Sequence, residues 1–247
     1  MELISGIRSN GLGGTEIDRI LAHLSVNLTH LVGELVSLRA QSDEKVLMYG
    51  PFLARGFLEV AFTAIIARLD PFRVLTIQRV QLSPSYESTI PWRSAIRWQG
   101  DVVAQKVKDM WGSSVDPKEM SRALFSDYAD ELVWRPALQV VSDALPLAVT
   151  SRWLSEMLAT PVDSFCAKKR ETVNGLYSRL SKSVHFESVT PVSMLSDRVT
   201  TMELIARTTR EVAELALLSH YVPHAYGSLS TVAAFDAFYK FEELEVF

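Results

Sequence analysis

The chain reads as an all-α protein, a helical bundle of about eight helices with an irregular insertion near 83–115. Three observations predict this. Apolar residues recur at three- and four-residue spacing through most of the sequence. No stretch joins β-branched alternation to hairpin turns over several strands. Prolines fall where helices of ordinary length must stop.

Residues 9–14, Ser-Asn-Gly-Leu-Gly-Gly, read as a turning N-terminal linker; no Gly-Lys-Ser/Thr follows them as in a phosphate loop. Thr15 stands at an N-cap position with Asp18 three residues on, the spacing of a capping box. Ile17, Leu21, Leu24, Leu28, Leu31 and Leu35 then form a stripe that ends near Ala40. A second helix is expected to start at Pro51, where the missing N–H is not needed, and to stop at Asp70-Pro71. Its faces are apolar nearly all round, which makes it central, and Arg55 and Glu59 are spaced to neutralise each other.

Phe72 to Leu82 suits a short helix, and Ser83 to Gln99 an ordered loop. Asp116-Pro117-Lys118-Glu119 is a helix start, and helices are expected at 117–133, 136–145 and 151–159. After Pro161, Asp163 caps a helix running to about His185, with Val173, Leu176, Tyr177, Leu180 and Val184 inward. Helices at 194–221 and 230–243 complete a single helical domain over 1–247, with an N-terminal helix region at 1–50.

The 247 residues are 48% hydrophobic and 22% charged, the balance of a chain with a packed core. A net charge of -4 and a pI near 5.8 provide no global attraction to nucleic acid or anionic membrane, so any such contact must be local. Cys166 is the single cysteine, which excludes an intrachain disulfide and suits the reducing cytoplasm. The first residues lack the pattern of a secretory signal. The most hydrophobic window, 52–69, carries Arg55, Glu59 and Arg68, which argues for a buried helix over a membrane span.

Several polar groups are weaker candidates. His23 and His30 share a helix face, with Glu34 completing only a loose metal set; a half-buried face explains them better. His220 and His224 flank a Val-Pro break and are expected in a loop. Cys166 precedes Lys168, Lys169 and Arg170, a setting that lowers a thiol pKa, yet a small buried side chain is the simpler expectation. Trp92, Arg93, Arg97 and Trp98 interleave rings and positive charge, as in surfaces that clamp single-stranded nucleic acid. An interface or core loop has the same composition.

The strongest constellation lies at the end of the 163–185 helix. Ser178, Ser181, Lys182 and His185 occupy i, i+3, i+4 and i+7, a polar strip flanked by Arg179. A guanidinium holds phosphate oxygens in one plane, and an imidazole exchanges protons near neutrality. Lys or His in a last helical turn is also favoured by the helix dipole alone.

The segment Tyr177-Ser-Arg179-Leu-Ser-Lys-Ser-Val-His185 resembles the Arg-x(4–6)-His signature of the HEPN superfamily, all-helical domains of toxin and antiphage ribonucleases. The resemblance implies a HEPN-like core over 51–247 and a metal-independent endoribonuclease of a bacterial antiphage defence or toxin–antitoxin system. It assigns catalysis to Arg179 and His185; Ser181 and Lys182 of the polar strip and Arg93 and Arg97 of the Trp/Arg segment are the candidate substrate contacts. RNA is then the substrate, no cofactor or metal is called for, and a homodimer pairs two motifs. The motif departs from the family at Leu180, where a polar residue is usual, and at Glu187, where one branch carries the tyrosine that nucleotide transfer modifies. The alternative is a catalytically inactive helical subunit that binds protein partners in a defence complex.

Overall fold

In the computed structural model, residues 1–6, 14–87, 89, 94–104, 122–144, 151–184 and 196–244 are described. The fold is all-α. The order is α1 (Glu2–Ser5), α2 (Glu16–Ser37, extended by a 3-10 turn at Leu38–Ala40), α3 (Asp43–Leu69), α4 (Pro71–Gln81), α5 (Arg135–Ala144), α6 (Arg152–Leu158), α7 (Val162–Val184), α8 (Arg198–Ser219) and α9 (Thr231–Glu243). Among the described residues the only β feature is an isolated bridge between Gln99 and Val103.

Helix α3 is the axis of the bundle and packs against α8, α2, α7, α4 and α1. Its Ala54, Phe57, Leu58, Ala61, Phe62 and Ile65 are buried, as the all-round apolar pattern requires. Helix α2 begins with the expected capping box: Thr15 accepts from the Asp18 N–H, and the Asp18 carboxylate accepts from the Thr15 N–H. Leu21, Leu28 and Leu35 bury its inner face. By length and composition alone Glu16–Ala40 is apolar enough to cross a membrane, with 22% of that window buried.

Two expectations need correction. Helix α3 starts at Asp43, eight residues before Pro51, so the proline lies inside the helix. Pro51 removes one N–H donor, and Gly50 beside it brings α3 against α8. A Cβ on Gly50 would lie 3.0 Å from Thr201 Cγ2 and 3.2 Å from Ile205 Cδ1. The second correction is at 117–133. Asp116 to Glu119 lie outside the described residues, and 122–126 are turns. The N–H groups of Leu124 and Phe125 donate to the Asp101 and Val102 carbonyls at 2.9 and 3.0 Å, not into a helix. Ser126 then caps a short turn at Asp127–Ala129, which widens into a π turn at Asp130–Trp134 and runs into α5.

The insertion is anchored by Trp98, Val102, Val103 and Phe125, all buried in the core. Gly100, at φ +96°, turns the chain there. At the N-terminus, Leu3 and Ile4 are fully buried. Gly6 and Gly227 meet backbone to backbone at φ +68° and +69°. A Cβ on Gly6 would stand 2.0 Å from the Gly227 carbonyl oxygen.

Candidate functional site

Helix α7 carries the described part of the Arg179–His185 segment. Val173, Leu176 and Leu180 are buried against the bundle, while Ser178, Arg179 and Lys182 are exposed. Arg179 and Lys182 are one helical turn apart, a spacing that leaves side chains about 5–6 Å apart at Cβ. Among the described residues neither forms an ion pair. Ser181, expected on the open polar strip, is half-buried, and its Oγ is buried with no hydrogen-bond partner among the described residues, so it is not open to a substrate. α7 is described through Val184. His185 and Arg93 lie outside the described residues, so the separation of Arg179 from His185 is not part of this geometry.

The structure joins two segments that the sequence leaves apart. Trp98 stacks on Tyr177 with ring centroids 4.0 Å apart and an 8° interplanar angle. The Trp98 indole N–H donates to Asn174 Oδ1 at 3.2 Å. On α3, Arg55 donates to the Tyr177 hydroxyl at 3.1 Å and sits over its ring at 5.1 Å. Arg55 also makes the expected pair with Glu59, at 3.2 Å. Burial opposes the Arg55 charge, but Glu59 and Tyr177 outweigh it and raise its pKa. The insertion and α3 thus clamp α7 half a turn before Arg179.

This placement changes the reading of the Trp/Arg segment. Arg97 is extended at φ -107°, ψ 142°, not helical, and its backbone N–H donates to Asp101 Oδ2 at 2.8 Å. Its guanidinium is half-exposed and 4.0 Å from the same carboxylate. Trp98 is buried, so its ring serves the core and is not open to a nucleobase.

Three further polar clusters lie outside the motif. Between α7 and α8, Lys169 bonds to Glu214 and, at 2.7 Å, to Glu211. Arg210 bridges Glu214 at 2.7 Å to Glu156 of α6 at 2.5 Å. Burial raises the Glu211 pKa against the pull of Lys169, while the Arg210 hydrogen bond lowers that of Glu156. Asp101 is fully buried and faces Arg122, Arg73 and Arg97.

The third cluster is Arg68 with His220, which sequence reasoning missed. Both are buried, and His220 closes α8 as its C-cap, not as a loop residue. Arg68 donates through Nε to the Tyr226 carbonyl at 3.1 Å and through Nη2 to His220 Nδ1 at 3.0 Å. The Leu229 N–H donates to the same Nδ1 at 2.9 Å. His220 Nε2 is 2.7 Å from the Leu3 carbonyl. Two donors on Nδ1 and an acceptor at Nε2 require the neutral ring with its proton on Nε2. Burial first, and the Arg68 charge second, push the His220 pKa down to about 3. Burial lowers that of Arg68 to about 10.

His23 and His30 are exposed, and His23 lies 3.2 Å from Asn27 Nδ2. No group of three His, Cys, Asp or Glu among the described residues is arranged to hold a metal ion. Cys166 is buried, and burial raises its pKa to about 12, the reverse of an activated thiol. No family model, curated protein or solved structure matches the chain.

Proposed function

We propose that the chain is a HEPN-like, metal-independent endoribonuclease of a bacterial defence or toxin–antitoxin system, cytoplasmic and acting on RNA as a homodimer. The observation that supports this is the outer face of α7. Arg179 and Lys182 stand exposed one turn apart, without ion-pair partners among the described residues, on a helix described up to the residue before His185. In an acidic chain, such a local pair of cations is what a phosphodiester needs.

In this reading the RNA 2′-hydroxyl attacks the adjacent phosphorus, its proton passes to one imidazole, and the leaving 5′-oxygen takes a proton from a second. The product ends are a cyclic phosphate and a 5′-hydroxyl. Arg179 bears the charge that accumulates on the phosphate oxygens. His185 handles one proton, and a two-fold pair of chains supplies the other imidazole. Lys182, Arg93 and Arg97 are assigned to substrate binding, and Ser181 is not, because its Oγ is buried. The test is cleavage of RNA in EDTA by wild type, Arg179→Ala and His185→Ala, with helicity checked by circular dichroism.

A second reading, an inert helical subunit that binds protein partners, is favoured by one observation. Met48, Tyr49 and Phe52 are exposed together on one side of α3. It predicts no cleavage by any variant and a loss of assembly with Phe52→Ser.

A further inference from the structure

We propose that the cleft between the α3–α4 corner and the 122–134 turns binds a small amphipathic anion, an aliphatic or aromatic carboxylate with an apolar body. The cavity is about 520 Å³, within the range of small-ligand sites. Its walls are mainly apolar, from Ile66 and Leu69 of α3, Leu124, and Leu132 and Val133 of the π turn. Polar groups come from few residues: Arg73 and Arg122, with Asp70, Tyr128 and His224 at the same cleft.

The two arginines are fixed in place, not loose on the surface. Asp101, fully buried behind them, accepts from Arg122 Nε and lies 3.7 Å from Arg73 Nη1. Asp70 holds Arg73 Nη2 at 2.9 Å and also caps α4 by accepting from the Arg73 N–H. Arg97, which does not line the cavity, lies 4.0 Å from Asp101 as well, so among the described residues three guanidinium groups share two carboxylates. Among the described residues Arg122 uses only Nε, so its two terminal nitrogens keep donors for a planar anion. Tyr128 and Leu132 are both exposed at the cleft, Leu132 at 71%. An apolar acid covers that surface and meets the guanidinium with its carboxylate. A neutral or cationic ligand of the same shape gains the first contact alone.

The experiment is calorimetric titration of the full chain with octanoate, octanol and octylamine, for wild type, Leu132→Glu and Arg122→Gln. Leu132 is exposed, so its substitution tests the cleft without disturbing the core; circular dichroism checks both variants. Wild type is expected to bind octanoate at least tenfold tighter than octanol, and octylamine no tighter than octanol. Leu132→Glu places a carboxylate at the cleft and is expected to weaken octanoate at least tenfold. Arg122→Gln is expected to bring octanoate down to the level of octanol. Equal affinity for octanoate and octanol, octanoate binding unchanged in Leu132→Glu, or no binding of octanoate at millimolar concentration overturns the proposal.

Discussion

Arg68 and His220 show how a charge sits inside a helical core with no carboxylate partner among the described residues. Carbonyls of Tyr226 and Ile4, the Ser219 side chain and the neutral His220 ring receive the guanidinium donors. Arg68→Met removes those donors and leaves buried acceptors unsatisfied, each at about 1–3 kcal/mol. We expect a lower thermal midpoint, by about 2–4 °C for each kcal/mol lost in a chain of this size. His220 makes stability depend on pH. Its folded pKa, about 3, lies below its usual value of 6.5, so the unfolded chain takes up a proton first. The His220 contribution is therefore intact above pH 6.5 and declines as pH falls from there towards 3, by about 1.4 kcal/mol per unit. Urea midpoints measured between pH 7 and 5 should fall in wild type, and fall less in His220→Gln, whose amide still offers a donor and an acceptor. An identical slope in both variants contradicts the assignment. None of this was legible in the sequence, because Arg68 and His220 are 152 positions apart and meet only when α1, α3 and α8 pack.

At the scale of the element, sequence patterns were reliable where local chemistry sets the boundary. The Thr15–Asp18 capping box and the Asp70-Pro71 junction lie where side-chain caps and ring constraints put them. The chain breaks at Pro161 as expected, but α7 starts at Val162, so Asp163 stands inside its first turn and not at the cap. Pro51 was not legible in this way, since packing of Gly50 on α8 carries the helix through the proline. Two glycine substitutions test the distinction. Gly33 lies within α2 with nothing within 4 Å of an added Cβ, so Gly33→Ala should stabilise by up to about 1 kcal/mol. Gly50→Val drives a branched side chain into Thr201 and Ile205 and should destabilise by about 1–3 kcal/mol. Thermal melts of the two proteins should move in opposite directions. The α7–α8 contact makes a similar point. Lys169→Met leaves Glu211 buried without its ion-pair partner, while Glu214 keeps Arg210, a change that costs about 3–5 kcal/mol.

For the whole molecule, the all-α class and the central place of α3 followed from apolar spacing, because a helix hydrophobic on every face must be surrounded. The insertion was the least legible part. Its register comes from long-range contacts, such as Trp98 on Tyr177 and the 101–102 carbonyls on 124–125, which leave no periodic trace. Of the candidate site, sequence spacing correctly put Arg179 and Lys182 on the outer face of α7. It gave no sign that the Trp98 loop clamps the same helix. The most direct test of the ribonuclease proposal is cleavage of a defined RNA in EDTA by wild type beside Arg179→Ala and His185→Ala, all with matched circular dichroism. The expected result is cyclic-phosphate ends from wild type, with each substitution slowing cleavage by about 10²–10⁴-fold. No cleavage by wild type, or equal cleavage by all three proteins, contradicts it.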